Sequence, residues 1–170
     1  MPRAVVSLGS NIAPERNLPL AMARLRDAGA VLAVSRAFQS TAAGPAGQPD
    51  FVNAAVLLET ELTPETLRAR LRHVEAELGR LRVNDRYAPR PIDLDLVLYD
   101  RVVMDAADLT LPDPDLLVQP YLAATVAELD PSALHPVTHE PLADVAARLG
   151  GTARLTPRPD IDLGGGTSTR

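Results

Sequence analysis

The 170-residue chain is 46% hydrophobic, carries a formal net charge of −5 and contains no cysteine, and its 17 basic residues are all arginine. This composition predicts one domain with a real core. It excludes disulfides, thiol catalysis, zinc–thiolate sites, Schiff-base lysines and the P-loop lysine. The acidic balance argues against a nucleic-acid partner or an anionic membrane surface. With no apolar run near 18 residues and no signal-peptide pattern, the expectation is a soluble cytoplasmic protein, read here as a monomer.

In chain order, "AVVSL" (4–8) predicts a short strand ending at Gly9-Ser10-Asn11. A helix is expected from about Asn17, because Pro19 suits a first turn better than an interior, and it should stop before Gly29. "AVLAVSRAF" (30–38) reads as one strand, and a Gly/Pro/Gln loop leads to another, "FVNAAVLLET" (51–60). Thr63-Pro64-Glu65 opens a second helix with a cap, a proline at the first position and an acid in the first turn. Leu67, Leu71, Val74 and Leu78 form its apolar stripe, and Gly79 ends it. An arginine-rich loop then runs into "IDLDLVLY", a fourth strand.

The resulting βαββαβ order predicts an α+β, ferredoxin-like fold: an antiparallel sheet with helices on one face. Segments 115–129 and 141–149 read as extra C-terminal helices. Residues 1–150 are expected to form the domain, and 151–170, which lack an apolar period, a loose flexible tail. The three histidines, His73, His135 and His139, make no site and are read as structural or exposed.

Two features carry chemistry. In "IDLDLVLY" side chains alternate, so Asp93 and Asp95 share one face and Ile92, Leu94, Leu96 and Leu98 the other. Two neighbouring carboxylates need a positive partner, and Mg2+ accepts one or two carboxylates while keeping water and phosphate oxygens. The competing reading is a solvated face on which the aspartates pair with arginines. Just upstream, Arg80, Arg82, Arg86 and Arg90 fall within eleven residues. Guanidinium forks bind phosphate, and a loop of this length has the character of a lid. The alternative is that these arginines cover a helix C-terminus and neutralise nearby acids.

With the opening "SLGSN", the stretches "GPAGQPDFVNAAVLLET" and "ELGRLRVNDRYAPRPIDLDLVLYD" resemble the 6-hydroxymethyl-7,8-dihydropterin pyrophosphokinase family of folate biosynthesis, over about residues 4 to 132. The resemblance implies transfer of pyrophosphate from ATP, the co-substrate, to the pterin's hydroxymethyl group, with release of AMP. It implies two Mg2+ ions on Asp93 and Asp95. Arg80 and Arg90 become catalytic contacts to the triphosphate, and Glu75, Arg82, Arg86 and Thr110 join them at the ATP site. For the pterin it implies Phe51 and Tyr121 stacking on the ring, Asn53 on its edge, Tyr87 closing over it, and Thr41 and Ala43 in the loop facing it. Asp113 and Gln119 depart from the family, which usually has His and Arg there. That departure motivates a rival reading, a pterin-binding protein of the same fold with impaired catalysis. An RNA-binding module is disfavoured by the charge and by the lack of interleaved aromatics.

Overall fold

The computed structural model describes residues 1–40, 49–80 and 88–165. Strand β1 (Arg3–Ser10) runs through the middle of an antiparallel sheet, between β4 (Phe51–Glu59) and β5 (Asp93–Tyr99). Strands β2 (Ala30–Val34) and β3 (Phe38–Ser40) both pair with β4, and β8 (Thr156–Pro157) adds to the outer edge of β3. The order β5-β1-β4-β3-β8, with helix α1 (Pro14–Leu25) after β1 and α2 (Pro64–Glu77) before β5, is the ferredoxin-like arrangement expected.

The sheet is covered on both faces. Ala4, Val6 and Leu8 of β1 point into one core with Leu18, Met22 and Leu25 of α1 and Leu67, Leu71 and Val74 of α2. Val5 points the other way, into a second core with Ala55 and the C-terminal helices α3 (Pro120–Leu129) and α4 (Leu142–Arg148). Small residues on α3, Ala123 and Ala127, lie in this core. Helices therefore occupy both faces, and the face that bears the aspartates is only partly open.

Several local expectations are corrected. Helix α1 starts at Pro14, not Asn17; Pro14 takes the first-turn position, and Pro19 lies inside the helix, where it can donate no backbone bond. The single strand predicted over 30–38 breaks at Ser35, whose backbone N–H and hydroxyl both engage Ala55. Leu98 does not share a face with Leu94 and Leu96: β1 pairs Val5 with Leu98 but Val6 with Leu96, so Val97 is an extra residue. This bulge puts Val97 and Leu98 in the second core. The helix expected over 115–129 divides into a 3-10 turn (Pro114–Leu117) and α3. Between β5 and that turn lies the small hairpin β6 (Met104–Asp105) and β7 (Thr110–Leu111).

The largest correction concerns the expected loose tail. Beyond α4, Thr156 and Phe38 anchor the β8–β3 ladder through the pairs Gln39–Thr156 and Phe38–Pro157. Ile161 and Leu163 are buried in the first core at 7% and 6% exposure. The chain packs as far as these residues because two large apolar side chains find a surface built by elements more than 100 residues earlier.

Candidate active site

A cavity of about 690 Å³ lies on the sheet face shared with α3. Its floor follows the ladder: Asp93, Gly9 and Asn53 sit on one rung, Asp95, Ser7 and Ala55 on the next. A side chain at Gly9 would crowd this floor, since a Cβ there would lie 3.1 Å from Asn53 Oδ1 and 4.0 Å from the Cβ of Asp93. Phe51 and Asn53 enter from β4, Tyr121 and Gln119 from the start of α3, and Arg90 from the loop before β5. The volume is in the range of small-molecule sites.

At one end, α2 positions the charges. Gly79, at φ 91°, reverses the chain after the helix: its N–H donates to Ala76 O at 3.1 Å, and the Arg80 N–H donates to Glu75 O at 3.0 Å. This pair of bonds is a Schellman cap. It returns the Arg80 guanidinium to Glu75, with which it hydrogen-bonds, and to Asp93 Oδ1 at 2.7 Å. The Arg90 guanidinium donates to Asp93 Oδ2 at 3.0 Å. Asn11 holds Arg90 by the backbone: its side-chain oxygen accepts from the Arg90 N–H at 2.6 Å, and its own N–H donates to Arg90 O at 3.1 Å. Asn11 was missed as a positioning residue. Only the strand-end Gly9-Ser10-Asn11 signalled it.

The electrostatics follow from this packing. Burial pushes the Glu75 carboxyl up, against the pull of Arg80 and the Leu94 N–H, which donates to Glu75 Oε2 at 3.2 Å. For Arg80 burial opposes the charge, but Asp93 and Glu75 outweigh it and hold the guanidinium above its usual range. Asp95 makes no hydrogen bond or ion pair among the described residues. It is exposed to the cavity, yet the walls exclude enough water that burial, then Asp93, Asp113 and Glu75, push it up to about 7. The Tyr121 hydroxyl is raised by burial and by the surrounding aspartates, so it stays protonated.

An aspartate with a satisfied neighbour and no donor of its own is a suitable cation ligand. Asp93 and Asp95 fit Mg2+, which needs only one or two protein carboxylates. No group of three or more acidic or histidine ligands occurs among the described residues, so bound water or phosphate would have to complete the shell.

Of the expected site residues, Arg90, Asp93, Asp95, Phe51, Asn53 and Tyr121 meet in this cavity, and Arg80 and Glu75 stand behind Asp93. Thr41, Ala43, Arg82, Arg86 and Tyr87 lie outside the described residues. Thr110 does not line the cavity; it is exposed in the β6–β7 hairpin, where its hydroxyl bonds Asp105 Oδ1 at 3.3 Å. Asp113 is also outside the lining: it caps the 3-10 turn, accepting from the Asp115 N–H at 2.9 Å. Its charge still reaches Asp95 from outside the lining, while Gln119 does face the cavity. Ser40, Arg154 and Leu155 also line it and were not anticipated; the last two lie in the segment taken for a tail. His135 is structural as expected, its Nδ1 accepting from the N–H groups of Val137 and Thr138, both at 3.2 Å.

Residues 5–131 match the family model of 7,8-dihydro-6-hydroxymethylpterin-pyrophosphokinase (HPPK). The chain is 34% identical over 166 residues to the 2-amino-4-hydroxy-6-hydroxymethyldihydropteridine pyrophosphokinase of a Synechocystis strain, covering 95% of this chain and 84% of that protein. It is 35% identical to the protein of the same name from Pseudomonas aeruginosa, covering 76% and 81%. Among solved structures, the Plasmodium falciparum HPPK-DHPS with pteroate superposes with a TM-score of 0.68 at 10% identity, covering 86% of this chain and 44% of that one. The chain thus spans less than half of that longer protein and shares its fold over that part. No described helix is long and apolar enough to cross a membrane.

Proposed function

The chain belongs to the 7,8-dihydro-6-hydroxymethylpterin-pyrophosphokinase family, and we propose that its cavity transfers pyrophosphate from ATP to the hydroxymethyl group of 6-hydroxymethyl-7,8-dihydropterin. The pterin oxygen attacks the β-phosphorus of ATP and loses its proton. The bond from that phosphorus to the oxygen bridging to the α-phosphate breaks, and AMP leaves with that oxygen. The single observation that carries this reading is one cavity in which a flat, polar-edged ring site and a charged site share a sheet face.

Each residue has a physical task. Phe51 from the sheet and Tyr121 from α3 offer ring faces for a heterocycle. Asn53, whose amide already donates to Ser40 Oγ at 2.8 Å, presents a fixed donor–acceptor edge suited to an aminopyrimidinone. Arg80 and Arg90, gathered around Asp93, are the groups placed to meet phosphate oxygens as charge shifts during transfer. Asp93 and Asp95 would hold Mg2+, two ions in our reading, which neutralise triphosphate charge when bound. Phosphoryl transfer relies mainly on positioning and electrostatics, so no strong base is required. Arg82 and Arg86 would add further phosphate contacts, and Thr41, Ala43 and Tyr87 further pterin contacts. Residues 1–165 act as one domain, and the protein works as a cytoplasmic monomer without a nucleic-acid partner. Net charge −5 supports that last point.

The test is an assay of ATP, Mg2+ and hydroxymethyldihydropterin for AMP and the pterin diphosphate. Both should appear in equal amounts and only with all three components present. Release of ADP in place of AMP, or no product, sinks the reading.

A further inference from the structure

Arg154 and Leu155 reach the cavity from a part of the chain that follows the family match, which ends at residue 131. We propose that Arg154 is a specificity-determining contact for the heterocycle, with Leu155 as the apolar edge beside it. This rests on the pyrophosphokinase reading and extends it to a pocket wall supplied by the C-terminal segment.

The placement comes from the order of the strands. Leu155 leads directly into β8, which pairs with β3 on the far side of the sheet from β5. Neighbouring strands lie about 4.8 Å apart. Four steps separate β5 from β8, so the chain beside Arg154 is about 19 Å across the sheet from the strand that carries Asp93 and Asp95. Ser40 and Phe51, which pair across β3 and β4, are the near neighbours at that end of the lining. The aspartates and Arg90 mark the phosphate end, so Arg154 faces the ring end.

The segment is held firmly enough to serve as a wall. Gly150 and Gly151, at φ 104° and 55°, turn the chain after α4, and the Gly151 N–H donates to Ala146 O at 2.8 Å. A further turn is closed by the Leu155 N–H on Thr152 O at 3.0 Å. On the other side, the Arg158 N–H donates to Ala37 O at 2.9 Å, and the Arg158 guanidinium reaches Gln39 Oε1 at 3.1 Å. Ile161 and Leu163 then anchor the segment in the core. Within this fixed frame Arg154 is exposed, and its guanidinium makes no hydrogen bond or ion pair among the described residues. A planar cation on a pocket wall can stack on a heteroaromatic ring or donate to its carbonyl oxygen and ring nitrogens.

Arg154→Ala is the test. Steady-state rates should show the KM for the pterin rising about tenfold, the value of one charge-assisted contact, while kcat and the KM for ATP stay within about twofold. Titration of the pterin into protein saturated with Mg2+ and an unreactive ATP analogue should show the same loss. Arg154→Lys, which keeps the charge without the planar fork, should recover only part of it. Because the Arg154 guanidinium makes no hydrogen bond or ion pair among the described residues, the thermal midpoint should not move. An unchanged pterin KM, or a rise in the KM for ATP in its place, overturns the inference. A wild-type protein that binds no pterin sinks the parent reading along with it. A wild type that binds pterin beside an Arg154→Ala variant that binds it equally well sinks this inference alone.

Discussion

Asp93 and Asp95 are two residues apart and have opposite circumstances. Arg80 and Arg90 occupy Asp93, whereas Asp95 faces the cavity with no donor among the described residues and is pushed up to about 7 by burial and three acidic neighbours. Asp95→Asn therefore removes a like charge and breaks no bond. The fold should keep or slightly raise its thermal midpoint, while AMP release should fall by at least about 100-fold, as when a group serving transition-state charge is lost. Retention of near-wild-type AMP release would show that Asp95 holds no metal needed for turnover. Of this constellation, the shared face of the two aspartates was legible in the alternation of "IDLDL". Their different partners were not, because Arg80 reaches Asp93 only through the cap at Gly79.

Short elements at the cavity's border bear two further predictions. Asp113 starts the 3-10 turn by accepting from the Asp115 N–H, and its charge contributes to the rise of Asp95. Asn caps as well as Asp does, so Asp113→Asn should leave stability unchanged and tighten binding of a non-hydrolysable ATP analogue. Asp113→Ala should lose about 1 kcal/mol in denaturant unfolding. Weaker nucleotide binding in the Asn variant would mean that the carboxylate serves the site. In the turn before α4, burial lowers the pKa of His135 below a histidine's usual value of about 6.5, with Arg148 and His139 adding to it against Glu140. The unfolded chain takes up a proton near 6.5, the folded chain only at lower pH. The stabilisation is thus present above about 6.5 and is lost as pH falls below it. Urea unfolding at pH 8 and 5.5 should show a larger drop for the wild type than for His135→Asn, whose side-chain oxygen can accept the same N–H groups without titrating. Equal drops would refute the buried neutral histidine.

For the molecule as a whole, the C-terminal segment ties the sheet edge, the first core and the pocket wall together. Leu163 is buried beside α1 and β2 residues in that core, and the Arg26 guanidinium donates to its carbonyl at 3.2 Å. Leu163→Ala should destabilise the entire domain by about 2–5 kcal/mol, the usual range for a buried leucine, in a single cooperative transition. A change below about 0.5 kcal/mol, typical of an exposed site, would restore the view of a tail that hangs free.

The sequence by itself determined the βαββαβ order of the main sheet and its two helices, the ends of α2 and the shared face of Asp93 and Asp95 on β5. Each of these is written in neighbouring residues: a Thr-Pro-Glu start, a glycine stop, a period of two. It also narrowed the range of chemistry, since a chain without cysteine or lysine has no thiol or Schiff-base catalysis, and clustered arginines beside paired aspartates suit phosphate and Mg2+ electrostatics. Only the tertiary structure decided that Val97 bulges, that α3 and α4 cover the second face, and that Arg154 and Leu155 return to line the cavity. A bulge depends on the register with a partner strand. The docking of a segment with two apolar anchors depends on a groove formed by residues far away in the chain. Neither leaves a periodic mark within the stretch that carries it.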